Sequence, residues 1–327
     1  MSDSKEDAVS GEFKFNVQDL PNDKITFFDM QFTTPDRRLS PFTTLIRYAL
    51  KIKEIPFHTH FIPMHAVRAV SESLSISPVW TSDDGTPLYT LPAIYDPTNL
   101  KEDGTPTALS DSLPICQYLD ERYPIIVGHG SIVLSTKLVG SDNESASTTN
   151  NPPSPAQINA FTQRFTPEID YALLPFILPK TLPWVPLASV PYFRRTREKW
   201  FGKKIEDMVP ANEEERARAW ATVREGFEDL ERNAYGGWGV ESSEGTTEGQ
   251  VEGLKEAKYT FKSRLDELRS NAQSPNYIDT FVAGRLYWMR KVFGDDSEEW
   301  RDVRRWSGGM WGDWLDLFEE RYGEADV

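Results

Sequence analysis

The chain has 327 residues, 39% of them hydrophobic, which is enough for two compact units or for one domain carrying large insertions. No apolar run approaches the ~20 residues that span a bilayer, so no membrane-spanning segment is expected. The formal net charge of −15 opposes binding to polyphosphate and sets nucleic acid aside as a partner.

Residues 1–23 are rich in Ser, Asp and Glu and lack periodicity, which predicts a loosely ordered tail. Ile25–Met30 reads as a strand. Leu45, Ile46, Ala49, Leu50 and Ile52 then recur at helical spacing before Pro56. Phe57, Thr59 and Phe61 alternate with His58, His60 and Ile62 in a second strand, and 65–74 follows as a second helix. A short apolar strand over 89–95 is interrupted by Pro92, 97–104 is a turn-rich loop, and 107–109 fits an edge strand. Residues 111–123 carry Ile115, Cys116 and Leu119 on one face and end at Pro124, the pattern of a helix. The order βαβαββα thus defines an α/β domain over 24–127.

Ser, Thr, Asn and Pro dominate 141–155, so 128–155 reads as a linker or long loop. Beyond it, over 156–327, only helical periods appear and an all-α domain is expected. Trp220, Val223, Phe227 and Leu230 form one such series, and Leu254, Ala257, Phe261, Leu265 and Leu268 another. The Glu-, Gly- and Ser-rich stretch 236–253 between them reads as a solvated insertion. Arg194, Arg195, Arg197, Lys199, Lys203 and Lys204 interleave with Phe193, Trp200 and Phe201, which makes an amphipathic helix rather than a polyanion-binding stripe.

Three local signals carry chemistry. Ser40-Pro41 opens the first helix with a hydroxyl at the N-cap; beyond capping, that hydroxyl and the helix's positive end can stabilise a thiolate. Pro92 inside a strand is either an edge residue or a cis-Pro, the device with which thioredoxin-like domains expose the preceding backbone to a thiol peptide. Asp111-Ser112 stands at a helix start, where it either caps free donors or receives a ligand bearing both an ammonium and a carboxylate.

Ser40-Pro41, Arg47 after it, Thr90-Leu91-Pro92-Ala93-Ile94, and Asp111-Ser112 with Ile115, Tyr118 and Leu119 resemble the glutathione transferase superfamily in order and spacing. Asn276-x-x-Asp279 is similar to that family's capping box on a buried helix. The resemblance implies a thioredoxin-like first domain and a helical second one. Glutathione is then the co-substrate, bound by Ser40, Thr90, Leu91, Pro92, Asp111 and Ser112, with Ser40 as the catalytic hydroxyl. Tyr192-Phe193-Arg194-Arg195-Thr196-Arg197-Glu198, Phe201-Gly202 and the terminal Trp300, Trp306, Trp311 and Trp314 resemble the transferases related to lignin β-aryl etherases, including their fungal relatives. The acceptor is then a small hydrophobic or aromatic molecule held between the domains, with Phe42, Trp184 and Tyr192 as acceptor residues and the Pro-rich 175–191 lining the cleft or packing as a loop. A homodimer is the family's usual assembly. Phe42, Thr43 and Thr44 depart from the Asn- and Trp-type residues expected in etherase-like members. Ser40-Pro41-Phe42 also resembles the Cys-Pro-Phe of the omega class with serine in place of cysteine, which disfavours thiol-transferase chemistry.

His58, His60 and His65 lack a nearby carboxylate or cysteine to complete a metal set, so no metal is expected. Cys116, the only cysteine, lies on an apolar helix face as an inert core thiol and leaves no disulfide to form. Together with a start that has no signal-like region, this predicts a cytoplasmic protein. Gly236-Gly237 and Gly308-Gly309 lack the spacing of a phosphate loop. Two other roles fit the same residues: a carrier that holds glutathione or phenolic compounds with little turnover, and a structural member whose thiol site has decayed.

Overall fold

In the computed structural model, residues 13–82, 85–124, 131–133, 152–232 and 260–323 are described. Strand β1 (Ile25–Met30) is buried along almost its whole length because both faces of its sheet are covered. On one face Ile25 and Phe27 meet helix α1 (Pro41–Ile52); on the other, Phe28 packs beneath helix α2 (Val67–Ser73). β2 (Phe57–Ile62) runs parallel to β1, with Ile25 opposite Phe57. After a two-residue hairpin pair, β3 (Trp80–Thr81) and β4 (Pro87–Leu88), the chain enters β5 (Ala93–Leu100) and β6 (Pro106–Ser110). β5 is antiparallel to β1 and β6 antiparallel to β5, giving the sheet order β2-β1-β5-β6. Helix α3 (Ser112–Arg122) then packs beside α1. This is the thioredoxin-like arrangement.

Four expectations need correction. The strand placed over 89–95 starts only at Ala93, because Leu91-Pro92 is a cis peptide that turns the chain into it. The loop placed over 97–104 shrinks to a turn at Lys101–Gly104. Asp96 is fully buried and accepts hydrogen bonds from Thr98, Tyr118 and Tyr123, so it holds the strand through an irregularity that would otherwise end it. The tail is not loose from residue 13 onward: Asn16 caps the turn Val17–Asp19, and Phe15 meets Phe28 and His60 edge-on at 6.0 and 5.6 Å. Its alternating Phe13, Phe15 and Val17 cover the outer face of the sheet. Within the expected linker, Ile132 and Val133 are buried, and their amides donate to Asp120.

The second half is helical throughout its described residues. α4 (Pro155–Phe165), capped by Ser154, runs into a π-type turn, Thr166–Asp170, closed by Tyr171 N–H donating to the Thr166 carbonyl. α5 (Tyr171–Thr181) contains Pro175 and Pro179, so much of the Pro-rich stretch is helix. α6 (Val190–Phe201) ends at left-handed Gly202, and α7 (Glu213–Arg232) buries Val223, Phe227 and Leu230 at the predicted spacing. α8 (Phe261–Arg269) buries Phe261, Leu265 and Leu268; Leu254, Ala257 and the 236–253 insertion lie outside the described residues. α9 (Tyr277–Phe293) is the central buried helix, flanked by α10 (Glu298–Arg305) and α11 (Met310–Tyr322). Trp300, Trp311 and Trp314 are packed in the core.

The start of α9 is held as the sequence predicts. The Asn276 side chain accepts from the amides of Ile278 and Asp279, and Asp279 accepts from the Asn276 amide at 2.8 Å. Asp279 is fully buried and also receives Arg264 Nε at 3.0 Å. Asp279→Ala strips the cap and leaves the Arg264 guanidinium without this partner in the core. Chemical denaturation should show a loss of about 3–5 kcal/mol; a loss under about 1 kcal/mol would contradict this role.

Candidate active site

Ser40 caps α1 with β-type backbone angles, and its Oγ accepts from Thr43 N–H at a long 3.4 Å. Pro41 at the first helical position has no amide to satisfy. Thr44 Oγ1 donates back to the Ser40 carbonyl at 2.8 Å, which pins the residue while its hydroxyl proton remains available. The side chain is buried but lines a cavity of about 940 Å³ between the sheet domain and the helices.

Thr90, Leu91 and Pro92 reach the same cavity. The β1–β5 ladder ends at the Phe28–Ala93 pair, so the Leu91 backbone stands beyond it, turned out by the cis peptide. Asp111 N–H donates to the Pro92 carbonyl at 3.1 Å, tying the start of α3 to this turn. Asp111 itself has φ +78° with ψ 137°, a positive-φ conformation sparsely used outside glycine. Its carboxylate accepts from Ser112 N–H at 2.7 Å, which stabilises that bend. Ser112 Oγ shares a 2.8 Å hydrogen bond with Tyr277 OH at the head of α9. Ser40, Thr90, Leu91, Pro92, Asp111 and Ser112 are therefore gathered on one floor.

The opposite wall is helical. Leu174, Pro175 and Leu178 of α5 face Tyr192, Trp200 and Phe201 of α6 across the opening. Phe42 and Tyr192 line the cavity, but Trp184 is not among its lining residues. Trp184 ends a short turn whose carbonyl accepts from Thr33 N–H at 2.8 Å, and its ring stands partly exposed elsewhere. The expected amphipathic helix is α6; of its interleaved aromatics Phe193 is buried, while Trp200 and Phe201 are exposed and border this opening. An adjoining cleft of about 960 Å³ shares Tyr192 and Trp200 with it.

Sequence reasoning missed Asp170, Arg197 and Tyr277. The π-type turn carries Asp170 to the cavity wall, where burial pushes its carboxyl up against the opposing pull of Arg285. Arg285 Nη2 reaches Asp170 Oδ2 at a long 3.4 Å, and its guanidinium lies between Phe42 at 4.5 Å and Phe281 at 3.3 Å. Cys116 is wholly buried, and burial raises its thiol well above the ordinary range, in keeping with an inert core residue. Among the described residues no group of three or more His, Cys, Asp or Glu can hold a metal, and no helix is long and apolar enough to cross a membrane.

Residues 39–122 match the model of the glutathione S-transferase N-terminal domain, and residues 156–322 that of the C-terminal domain. The chain belongs to the glutathione S-transferase family. It is 25% identical over 289 residues to the glutathione S-transferase-like protein ustS of Aspergillus flavus, spanning 86% of this chain and 85% of that one. Among solved structures it is similar to a glutathione S-transferase of Ceriporiopsis subvermispora in complex with glutathione. That match has 29% identity and a TM-score of 0.69, over 93% of this chain and 100% of the other. The transferase GSTFuA2 of Phanerochaete chrysosporium matches at 25% identity and a TM-score of 0.66, over 93% and 99% of the two chains.

In this family member the floor of the cavity is set by the approach of α9 to α1. A Cβ on Gly284 would stand 2.6 Å from the Pro41 carbonyl oxygen, next to Ser40. Gly284→Ala should gain about 1 kcal/mol of helix propensity yet lose about 1–3 kcal/mol to the clash. Thermal and chemical denaturation should therefore show a net destabilisation; a variant more stable than wild type would contradict this packing.

Proposed function

We propose that the chain is a glutathione transferase that joins glutathione to apolar or aromatic electrophiles, or cleaves them with it, aryl ethers among them, through a thiolate stabilised by Ser40. The observation that supports it best is that the Ser40 hydroxyl, the Leu91 backbone before cis-Pro92 and the Asp111-Ser112 helix start all face one cavity. Their chemistry matches the parts of one peptide. Asp111 attracts the γ-glutamyl ammonium, while Ser112 and the N-terminus of α3 receive its carboxylate. Leu91, left outside the ladder, offers extended backbone to the cysteinyl unit, with Thr90 and Pro92 beside it. The Ceriporiopsis relative was solved with glutathione bound, which supports the same ligand here.

In this reading the thiol proton passes to solvent and the sulfur stays as thiolate, held by the Ser40 hydroxyl and the positive end of α1. The thiolate forms a C–S bond with the acceptor carbon. The bond to the leaving group breaks as chloride or an aryl oxide departs with the electron pair, the aryl oxide then taking a proton from water. No cysteine stands at position 40, so no mixed disulfide with the enzyme arises there. Phe42 and Tyr192 hold the acceptor in an apolar space that also slows competing hydration of the thiolate. A homodimer in the cytoplasm, without nucleic acid or membrane, belongs to the same proposal on the strength of the family resemblance.

Ser40→Ala removes one hydrogen bond to a charged sulfur, about 1.5–3 kcal/mol, and should slow conjugation roughly 10- to 150-fold while moving the pH–rate profile upward. Glutathione affinity, measured by calorimetry, should instead fall in Asp111→Ala. Unchanged rates and pH profile in Ser40→Ala would overturn the catalytic role and leave the carrier reading in its place. Unchanged affinity in Asp111→Ala would overturn the placement of the γ-glutamyl end.

A further inference from the structure

The basic residues of α6 do not all face solvent. Arg194 pairs with Glu198 and Glu206, and Arg195 lies over Tyr192 at 5.7 Å beside the adjoining cleft. Arg197 turns instead to the acceptor wall of the main cavity. Its guanidinium carbon lies over the Phe193 ring at 4.7 Å and the Trp200 ring at 5.1 Å from their centroids, and its Nη1 donates to Thr196 Oγ1 at 2.8 Å. Among the described residues no carboxylate lies within ion-pair distance of it. The chain carries 51 acidic against 36 basic residues, so a sheltered arginine left without an acid is not explained by scarcity of partners.

The charges around the cavity sharpen the point. Its lining holds two carboxylates and two cations: Asp111, Asp170, Arg197 and Lys203. Asp170 is matched by Arg285 behind it, and Asp111 stands at the helix start that receives an ammonium in the function proposed above. Lys203 is exposed at the rim. Among the described residues this leaves Arg197 as a positive charge without a carboxylate partner, set in an aromatic wall. Burial works against its charged form, with only Tyr192 nearby to favour it, so an oxyanion arriving there recovers part of that cost. A guanidinium carries a planar fork of N–H donors that fits two oxygens, the geometry of carboxylate recognition.

We infer that Arg197 binds the anionic group of the second ligand, so that the acceptors of this enzyme are aromatic molecules carrying a carboxylate or phenolate. The aromatic body lies against Tyr192 and Trp200 while the oxyanion meets Arg197. This deepens the proposed function and rests on it for the word acceptor; the ligand chemistry itself rests on the cavity alone. Arg197 is a specificity residue and takes no part in bond making.

Calorimetry on the full chain with 2-naphthoate and its neutral isostere 2-naphthamide tests the inference without any turnover. Wild type should prefer the carboxylate. Arg197→Met should reduce that preference roughly 10- to 100-fold, the range of one hydrogen-bonded charge, and Arg197→Lys should keep part of it. Glutathione affinity should stay within about twofold in both variants, as expected for a group that does not hold the peptide. Equal binding of the two naphthyl compounds by wild type would overturn the inference. So would a Lys variant indistinguishable from Met at unchanged fold stability, because that assigns Arg197 to packing. A drop in glutathione affinity matching the drop for naphthoate would overturn it too, by giving Arg197 to the peptide. A wild-type chain that conjugates no electrophile yet discriminates the two ligands would defeat the proposed function and leave the inference standing.

Discussion

The packing of α1 against α9 is the constraint on which the rest of the molecule depends. Gly284 lets the two backbones meet at the Pro41 carbonyl, so the helix that Ser40 caps is seated directly on the central helix of the other half. Polar ties surround this contact: Tyr48 OH donates to Glu319 at 2.7 Å, and Tyr287 and Lys291 both reach Asp36. Such ties add little apiece. Their value is geometric, because they fix the rotation of the sheet domain on the bundle and thereby the width of the opening between Ser40 and α6. The buried Arg47–Asp29 pair, at 2.7 Å, joins α1 to β1 on the side away from α9. It withstands desolvation because the guanidinium also stacks on Phe27 and reaches Thr59, though burial still pushes the Asp29 carboxyl up.

The site is built from the ends of helices and a strand rather than from a loop that must order itself. Ser40 and Asp111 cap helices and are anchored by local bonds, and Leu91 stands just before the ladder, in a turn tied down where Asp111 N–H donates to the Pro92 carbonyl. Groups held this way need little reorganisation to meet a charged ligand, which is the source of electrostatic stabilisation in a preformed pocket. Besides the Gly284 contact, Tyr277 ties the floor to the helical domain by sharing a hydrogen bond with the Ser112 hydroxyl. Through it the start of α3 is tied to α9, so the two halves are joined at the candidate site as well as along α1.

What was legible in the sequence follows from range. The caps at Ser40, Asp111 and Asn276 depend on a few consecutive residues, and all three occur in the structure where the spacing placed them. Strand β1 and the buried faces of α7 and α8 were legible because their apolar periods are uninterrupted. The β3–β4 hairpin was not, since two-residue strands carry no period, and the persistence of β5 past Asp96 depends on two tyrosines more than twenty positions away. Trp184 failed as a cavity residue because a chain-distant bond to Thr33 decides which way its turn faces. In the sequence Arg197 is one of several cations on an amphipathic helix. Only the placement of α6 against the opening separates it from its neighbours, and neither composition nor helical period contains that information.

The central claim is that one preformed floor holds a thiol peptide with its sulfur at Ser40 and leaves the aromatic wall to a second molecule. A crystal structure of this chain soaked with glutathione tests that most directly. The account predicts the γ-glutamyl end at Asp111 and Ser112, extended pairing with Leu91, and the sulfur within about 3.5 Å of Ser40 Oγ. A peptide bound outside this floor, or one whose sulfur turns away from Ser40 while its other end stays at Asp111, would contradict it.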